Sequence, residues 1–194
     1  MTLTATRQSC WSGKLVLDLD GTKIGTAEPR TWSGGYDLRL TGGRRLHFGK
    51  PPGAVWWSLK SVQRLALSEA GRVVAGAESS GLLKQAWHVH LSTGKAVLKA
   101  VGFWNRAHLV VPVPAGDMGV YGGSDAPAEP APVAELDWLT RKQSGAAGGW
   151  RVRTPGDALG DGAGLTPTDL LLIGLTFQTL QNRQAAAAGA AGAG

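Results

Sequence analysis

Apolar and polar residues alternate along most of this chain in runs of a few residues, and glycine turns separate the runs. A period of two marks half-buried strands, because successive side chains of a strand point to opposite faces. Lys14–Asp20 (KLVLDLD) places Leu15, Leu17 and Leu19 on one face, Asp20-Gly21 turns, and Thr22–Thr26 returns as the second arm of a hairpin. The device recurs at Arg64–Ser68, Glu69-Ala70-Gly71 and Arg72–Gly76, and again at Trp87–Leu91, Ser92-Thr93-Gly94 and Lys95–Val101. Tyr36–Leu40 and Arg44–Phe48 pair around Gly42-Gly43, and Gly102–Val113 holds a further strand that ends at Pro112 and Pro114. Pro114–Pro132 is poor in apolar residues and reads as an exposed loop, after which strands resume at Pro132–Arg141 and Gly149–Thr154. The spacing of the modules is too irregular for a solenoid and predicts an antiparallel meander.

The pattern changes after Leu165. Thr166 stands at an N-cap position, Pro167 at the first helical position and Asp169 three residues after the cap, a capping-box start with a carboxylate at the positive end of the helix dipole. From Leu170 to Leu180 (LLLIGLTFQTL) apolar residues occupy almost every side, so this helix must be surrounded rather than laid on a surface. At 15 to 18 residues it would be about 25 Å long, close to the height of a small barrel. One domain over residues 1–184 is expected, its helix spanning about 167–184, with 185–194 a flexible Ala/Gly tail.

Composition narrows the class. The 194 residues are 43% hydrophobic and 18% charged, enough apolar material for a core, and 29 glycines with eight tryptophans suit an all-β domain. A single cysteine, Cys10, excludes an internal disulfide and a thiolate metal cluster. Met1–Trp11 lacks the apolar segment of a secretory signal, and no run reaches the roughly 18 to 20 apolar residues of a membrane span, so a cytoplasmic location is expected.

These features together resemble the tubby C-terminal-like superfamily, which includes the plant LURP-one-related proteins, the phospholipid scramblases and many small bacterial proteins. The resemblance spans most of the chain. It is carried by the hairpins LDLDGTKIG, LSEAGRVVAG and LSTGKAVLKA, by Gly102-Phe103-Trp104, by Val133-Ala134-Glu135-Leu136 with Trp150-Arg151-Val152, and by the Asp169–Leu180 helix. It implies a mainly β fold, a closed antiparallel barrel of about twelve strands around the C-terminal helix, and a non-enzymatic domain that binds at or near membranes. A proline-rich N-terminal extension, a cysteine cluster and a scramblase-type acidic calcium loop are all missing from the sequence, so the resemblance does not extend to scrambling.

Four motifs bear on chemistry. Asp18-Leu19-Asp20-Gly21-Thr22 matches the nucleophile strand of haloacid dehalogenase-type Mg²⁺ phosphatases, with Gly156-Asp157 and Asp161 as an acidic partner. That chemistry needs helices alternating with parallel strands, whereas Thr22–Val113 offers hairpins and Asp-Gly is itself a hairpin turn. The same aspartates do not make a calcium loop, whose twelfth position would be Pro29. His88 and His90 share a strand face as a two-histidine metal start, but the third ligand is missing nearby, with only His47 and His108 as distant candidates, so they read as solvent-facing histidines. The tryptophans have few adjacent basic residues and no RNP-type or zinc motif, so they read as packing and not as a nucleic-acid platform.

The net charge is +6 without a long Lys/Arg run. Arg44 and Arg45, Lys60 with Arg64, and Lys84 form a phosphate-binding patch if the strands bring them together. The expected partner is then anionic lipid at a membrane surface, or a protein, with no cofactor, metal or nucleic acid and with the chain peripheral to the membrane. The alternatives are the Asp18/Asp20 phosphatase and a purely structural interaction module.

Overall fold

In the computed structural model of the chain, the described residues are 1–9, 12–30, 35–51, 63–79, 86–92, 94–101, 106–110, 132–140, 148–154 and 164–191. They form twelve strands and one long helix: β1 (Thr2–Arg7), β2 (Leu15–Leu19), β3 (Thr22–Pro29), β4 (Tyr36–Leu40), β5 (Arg45–Gly49), β6 (Arg64–Glu69), β7 (Arg72–Ser79), β8 (Ala86–Leu91), β9 (Gly94–Val101), β10 (Arg106–Val110), β11 (Ala134–Leu139), β12 (Gly149–Arg153) and α1 (Pro167–Ala191). Each strand pairs antiparallel with its neighbours in sequence, and β1 pairs with β12 to close the barrel. The expected loop Pro114–Pro132 lies almost wholly outside the described residues.

The hairpins of the sequence reading are all present. Strand β1 is the addition, since the sequence pattern starts the strands at Lys14. Its Thr2-Leu3-Thr4-Ala5-Thr6 does alternate, with Leu3 and Ala5 fully buried, but the connection to β2, closed by the Gln8 N–H on the Lys14 carbonyl at 2.9 Å, carries no Asp-Gly or Gly-Gly signal. Its register comes from Leu3 opposite Val152 on one side and Leu19 on the other.

Alternation turns one face of each strand inward, for example Leu15 and Leu17 of β2, Phe48 of β5 and Leu67 of β6, all fully buried. An eight-stranded barrel is filled by such side chains alone; twelve strands leave room for a helix about 10–12 Å across. Helix α1 fills that room. From Asp169 to Gln178 every residue is buried, an unbroken stretch about 15 Å long at 1.5 Å per residue. A five-residue strand tilted by about 40° rises about 13 Å, so the enclosed part of the helix matches the barrel's height. The helix then passes exposed Asn182 and continues to Ala191, beyond the boundary near 184 read from the sequence. Alanine, which dominates residues 185–191, is the best helix former.

Gly174 marks a close contact between α1 and the wall. A Cβ there would fall inside the fully buried indole of Trp150 on β12. Trp138 on β11, paired across from Trp150, meets Phe177 of α1 edge-on with ring centroids 6.2 Å apart.

At the entry end the helix is tied down. Thr166 Oγ1 accepts the Asp169 N–H at 3.2 Å, and the Asp169 carboxylate reaches back to the Thr166 N–H at 2.9 Å, the capping box read from the sequence. The same carboxylate accepts the Ser92 N–H at 2.9 Å and the Ser92 hydroxyl, joining α1 to the β8–β9 turn. Burial pushes the Asp169 carboxyl up, but the hydrogen bonds from Ser92 and Thr166 outweigh it and hold the group below the ordinary Asp value.

Replacing fully buried Leu172 or Ile173 by Asp is expected to abolish soluble expression, because an unpaired charge cannot be accommodated there. Gly174→Ala is expected to destabilise the fold, although alanine favours an isolated helix by about 1 kcal/mol; a lowered urea midpoint checks it.

The depressed value of Asp169 belongs to the folded state. Its contribution is therefore complete above about pH 4, where the unfolded chain's aspartate is already ionised, and is lost as pH falls through the folded value. Asp169→Ala should cost about 2 kcal/mol at neutral pH, through the donors it strands, and should flatten the acid limb of stability. Urea unfolding followed across that pH range measures both.

Candidate functional site

The barrel interior is occupied by α1, so the chemistry this fold presents to a partner lies on its ends and outer wall. The turns β2–β3, β4–β5, β6–β7 and β8–β9 lie at the end where α1 enters, together with Met1 and Arg153, as the strand registers require.

Two of the basic residues singled out in the sequence lie at this end. Arg44 follows the 3-10 turn Thr41–Gly43, and its guanidinium holds Glu69 at the tip of β6 through two bonds of 2.9 Å, while Nη1 donates to Thr168 Oγ1 at 3.2 Å. The bonded Glu69 carboxylate raises the Arg44 pKa, and Arg44 in turn lowers that of Glu69. Arg45 opens β5, is exposed, and stands directly opposite Arg39. Arg64 lies at the opposite end of β6 from Glu69, 3.4 Å from Glu78. The fold therefore brings Arg44 and Arg45 together and separates Arg64 from them. Lys60 and Lys84 lie outside the described residues.

Among the cations that the sequence pattern did not single out, Arg72 after the β6–β7 turn and Lys95 after the β8–β9 turn share the entry end with Lys23 after the β2–β3 turn. All three are exposed. Among the described residues no carboxylate is within ion-pair distance of Arg45, Arg72 or Lys95. Three carboxylates of this end are committed: Glu69 to Arg44, Asp20 to the Thr2 N–H at 2.7 Å, and Asp169 inside the capping network. The available signal was positional, since each of the three cations follows within two residues of a turn glycine.

His88 and His90 project outward from β8, as expected, and Glu78 on β7 approaches His90 at 3.8 Å. His47 meets Asp37 at 3.0 Å on the neighbouring strand, and His108 lies on β10 opposite Lys99. No group of three His, Cys, Asp or Glu side chains among the described residues is placed to hold a metal ion.

Asp18 and Asp20 sit in an antiparallel hairpin, not before a helix. Asp20 is a turn residue at φ 48° followed by Gly21 at φ 81°, and Asp18 pairs with Thr4 across β1. The proposed acidic partners Asp157 and Asp161 lie outside the described residues.

The fold and this end define a class: a twelve-stranded antiparallel barrel plugged by its own C-terminal helix, with a cationic rim where the helix enters. Compared with protein-family models, curated proteins and solved structures, the chain matches none.

Incubation with a generic phosphate ester and Mg²⁺ is expected to give no turnover that Asp18→Asn removes; a Mg²⁺-dependent rate lost in that variant would assign the hairpin aspartates to catalysis.

Proposed function

We propose that this chain is a non-enzymatic binding domain of the tubby and scramblase-like kind, which docks end-on to anionic phospholipid at a membrane surface. One observation carries the reading: exposed Arg45, Arg72 and Lys95 have no carboxylate partner among the described residues and all lie at the helix-entry end. Like charges directly opposite each other in a sheet are destabilising, and the Arg39–Arg45 pair is such a case, relieved on one side by Glu28 at 3.8 Å from Arg39. A layer of lipid phosphates compensates such a rim, and the net charge of +6 favours approach to it.

Two further features favour docking on the surface. No helix among the described residues is long and apolar enough to cross a membrane. The outer wall carries exposed Asp37, Arg39, His88 and His90 while the inward faces are apolar, the inverse of a lipid-facing barrel wall.

Co-sedimentation with phosphatidylcholine vesicles, with and without phosphatidylserine, tests the proposal. The protein should pellet with the anionic vesicles only, and less as salt rises, because the Debye length shortens from about 10 Å at 0.1 M to about 3 Å at 1 M. Arg45→Glu with Lys95→Glu should reduce binding and leave the melting temperature nearly unchanged, since exposed charges contribute little to stability. Equal binding to both vesicles, or none to either at low salt, would overturn the lipid reading and favour a protein partner.

A further inference from the structure

The large apolar side chains left exposed among the described residues are Met1, Val73 and Val74, at 39%, 52% and 44%. All three lie at the helix-entry end. The two valines follow the β6–β7 turn, where Ser68 pairs with Val73 and Leu67 with Ala75, so that Val74 is the extra residue of a β-bulge.

The barrel contains an internal control. Hairpin β2–β3 aligns with β6–β7 without a gap, Leu15-Val16-Leu17 on Leu65-Ala66-Leu67 and Gly21 on Gly71, with the bulge at the same place. In that copy the extra residue, Ile24, packs against the core, and the position before it is Lys23. Bulge geometry therefore does not force apolar residues into water. The turns differ in the same sense. Asp20 occupies the left-handed position in one copy and Ala70, at φ 47°, in the other, although an alanine gains no side-chain hydrogen bond there to offset the steric cost. The tip Ala70-Gly71-Arg72-Val73-Val74 is apolar apart from one cation, where its counterpart Asp20-Gly21-Thr22-Lys23-Ile24 is polar up to the half-buried isoleucine.

We infer that this tip enters the headgroup–acyl boundary of an anionic phospholipid bilayer while Arg45, Arg72 and Lys95 meet the lipid phosphates around it. Short apolar insertions ringed by cations hold a protein at an interface by combining buried apolar area with attraction to anionic headgroups. The inference rests on the lipid reading above and adds the penetrating element and the orientation: the helix-entry end faces the bilayer, and the end from which α1 emerges points away.

The test uses Val73→Ser with Val74→Ser, which leaves the charge unchanged. Affinity for phosphatidylserine-containing vesicles should fall at least tenfold with an unchanged melting temperature, and the loss should persist at high salt, where the cationic contribution is screened. In a second arm, Val74→Cys in a Cys10→Ser background carries an environment-sensitive fluorophore, whose emission should shift to the blue on anionic vesicles. Wild-type affinity in the serine variant, or an unshifted fluorophore on protein that still pellets with vesicles, overturns the insertion and leaves the lipid reading standing. Wild-type protein that fails to pellet overturns both. A wild-type dimer converted to monomer by the serine substitutions would assign the tip to a contact between copies of the chain and overturn the bilayer assignment.

Discussion

The structure depends on the enclosure of a helix that has no polar side. Residues 169–178 of α1 are buried on every face, so no open sheet and no single layer can satisfy them. Only a closed wall removes all of that surface from water, and closure also leaves no strand edge unpaired. The small inward residues Ala27, Ala75, Ala77 and Ala96 are consequences of the same requirement. A wall of leucines alone would leave too little space for the helix, and Gly174 makes the complementary concession from the helix side against Trp150.

Enclosure alone does not fix the depth of the helix, because a uniformly apolar rod is free to slide in an apolar sleeve. Directional bonds at the entry end supply the missing constraint. Asp169 joins the first turn of α1 to Ser92 on the wall, and Arg44 bridges Glu69 at the end of β6 to Thr168 on the helix. The entry end is thereby where the helix is bonded to the wall, and it is also where, among the described residues, cations without a carboxylate partner and exposed valines collect.

A barrel filled in this way leaves its ends and outer wall to meet its surroundings. The two aligned hairpins differ there. In β2–β3 the turn aspartate caps the Thr2 N–H and the bulged isoleucine joins the core, so the hairpin serves the fold. In β6–β7 the corresponding side chains make no such contribution, and Val73 and Val74 remain in water.

Local chemistry was legible in the sequence and nonlocal chemistry was not. Asp20-Gly21, Gly42-Gly43 and Gly71 announce their turns because left-handed backbone is a property of a residue or two, and Thr166-Pro167-Asp169 announces the start of α1 because a cap is complete within four residues. The all-round apolarity of Leu170–Leu180 even demanded an enclosure. Strand β1 escaped notice because its threonine-rich alternation gains meaning only from Val152 and Leu19, at distant points of the chain. The same holds for the cations. Arg44 and Arg64 look alike in sequence, yet register places one at the helix entry against Glu69 and the other at the far end of β6 against Glu78. Periodicity assigns a side chain to a face, but only strand pairing around the closed barrel decides which charges share an end, because that placement is fixed by hydrogen-bond register between segments remote in sequence.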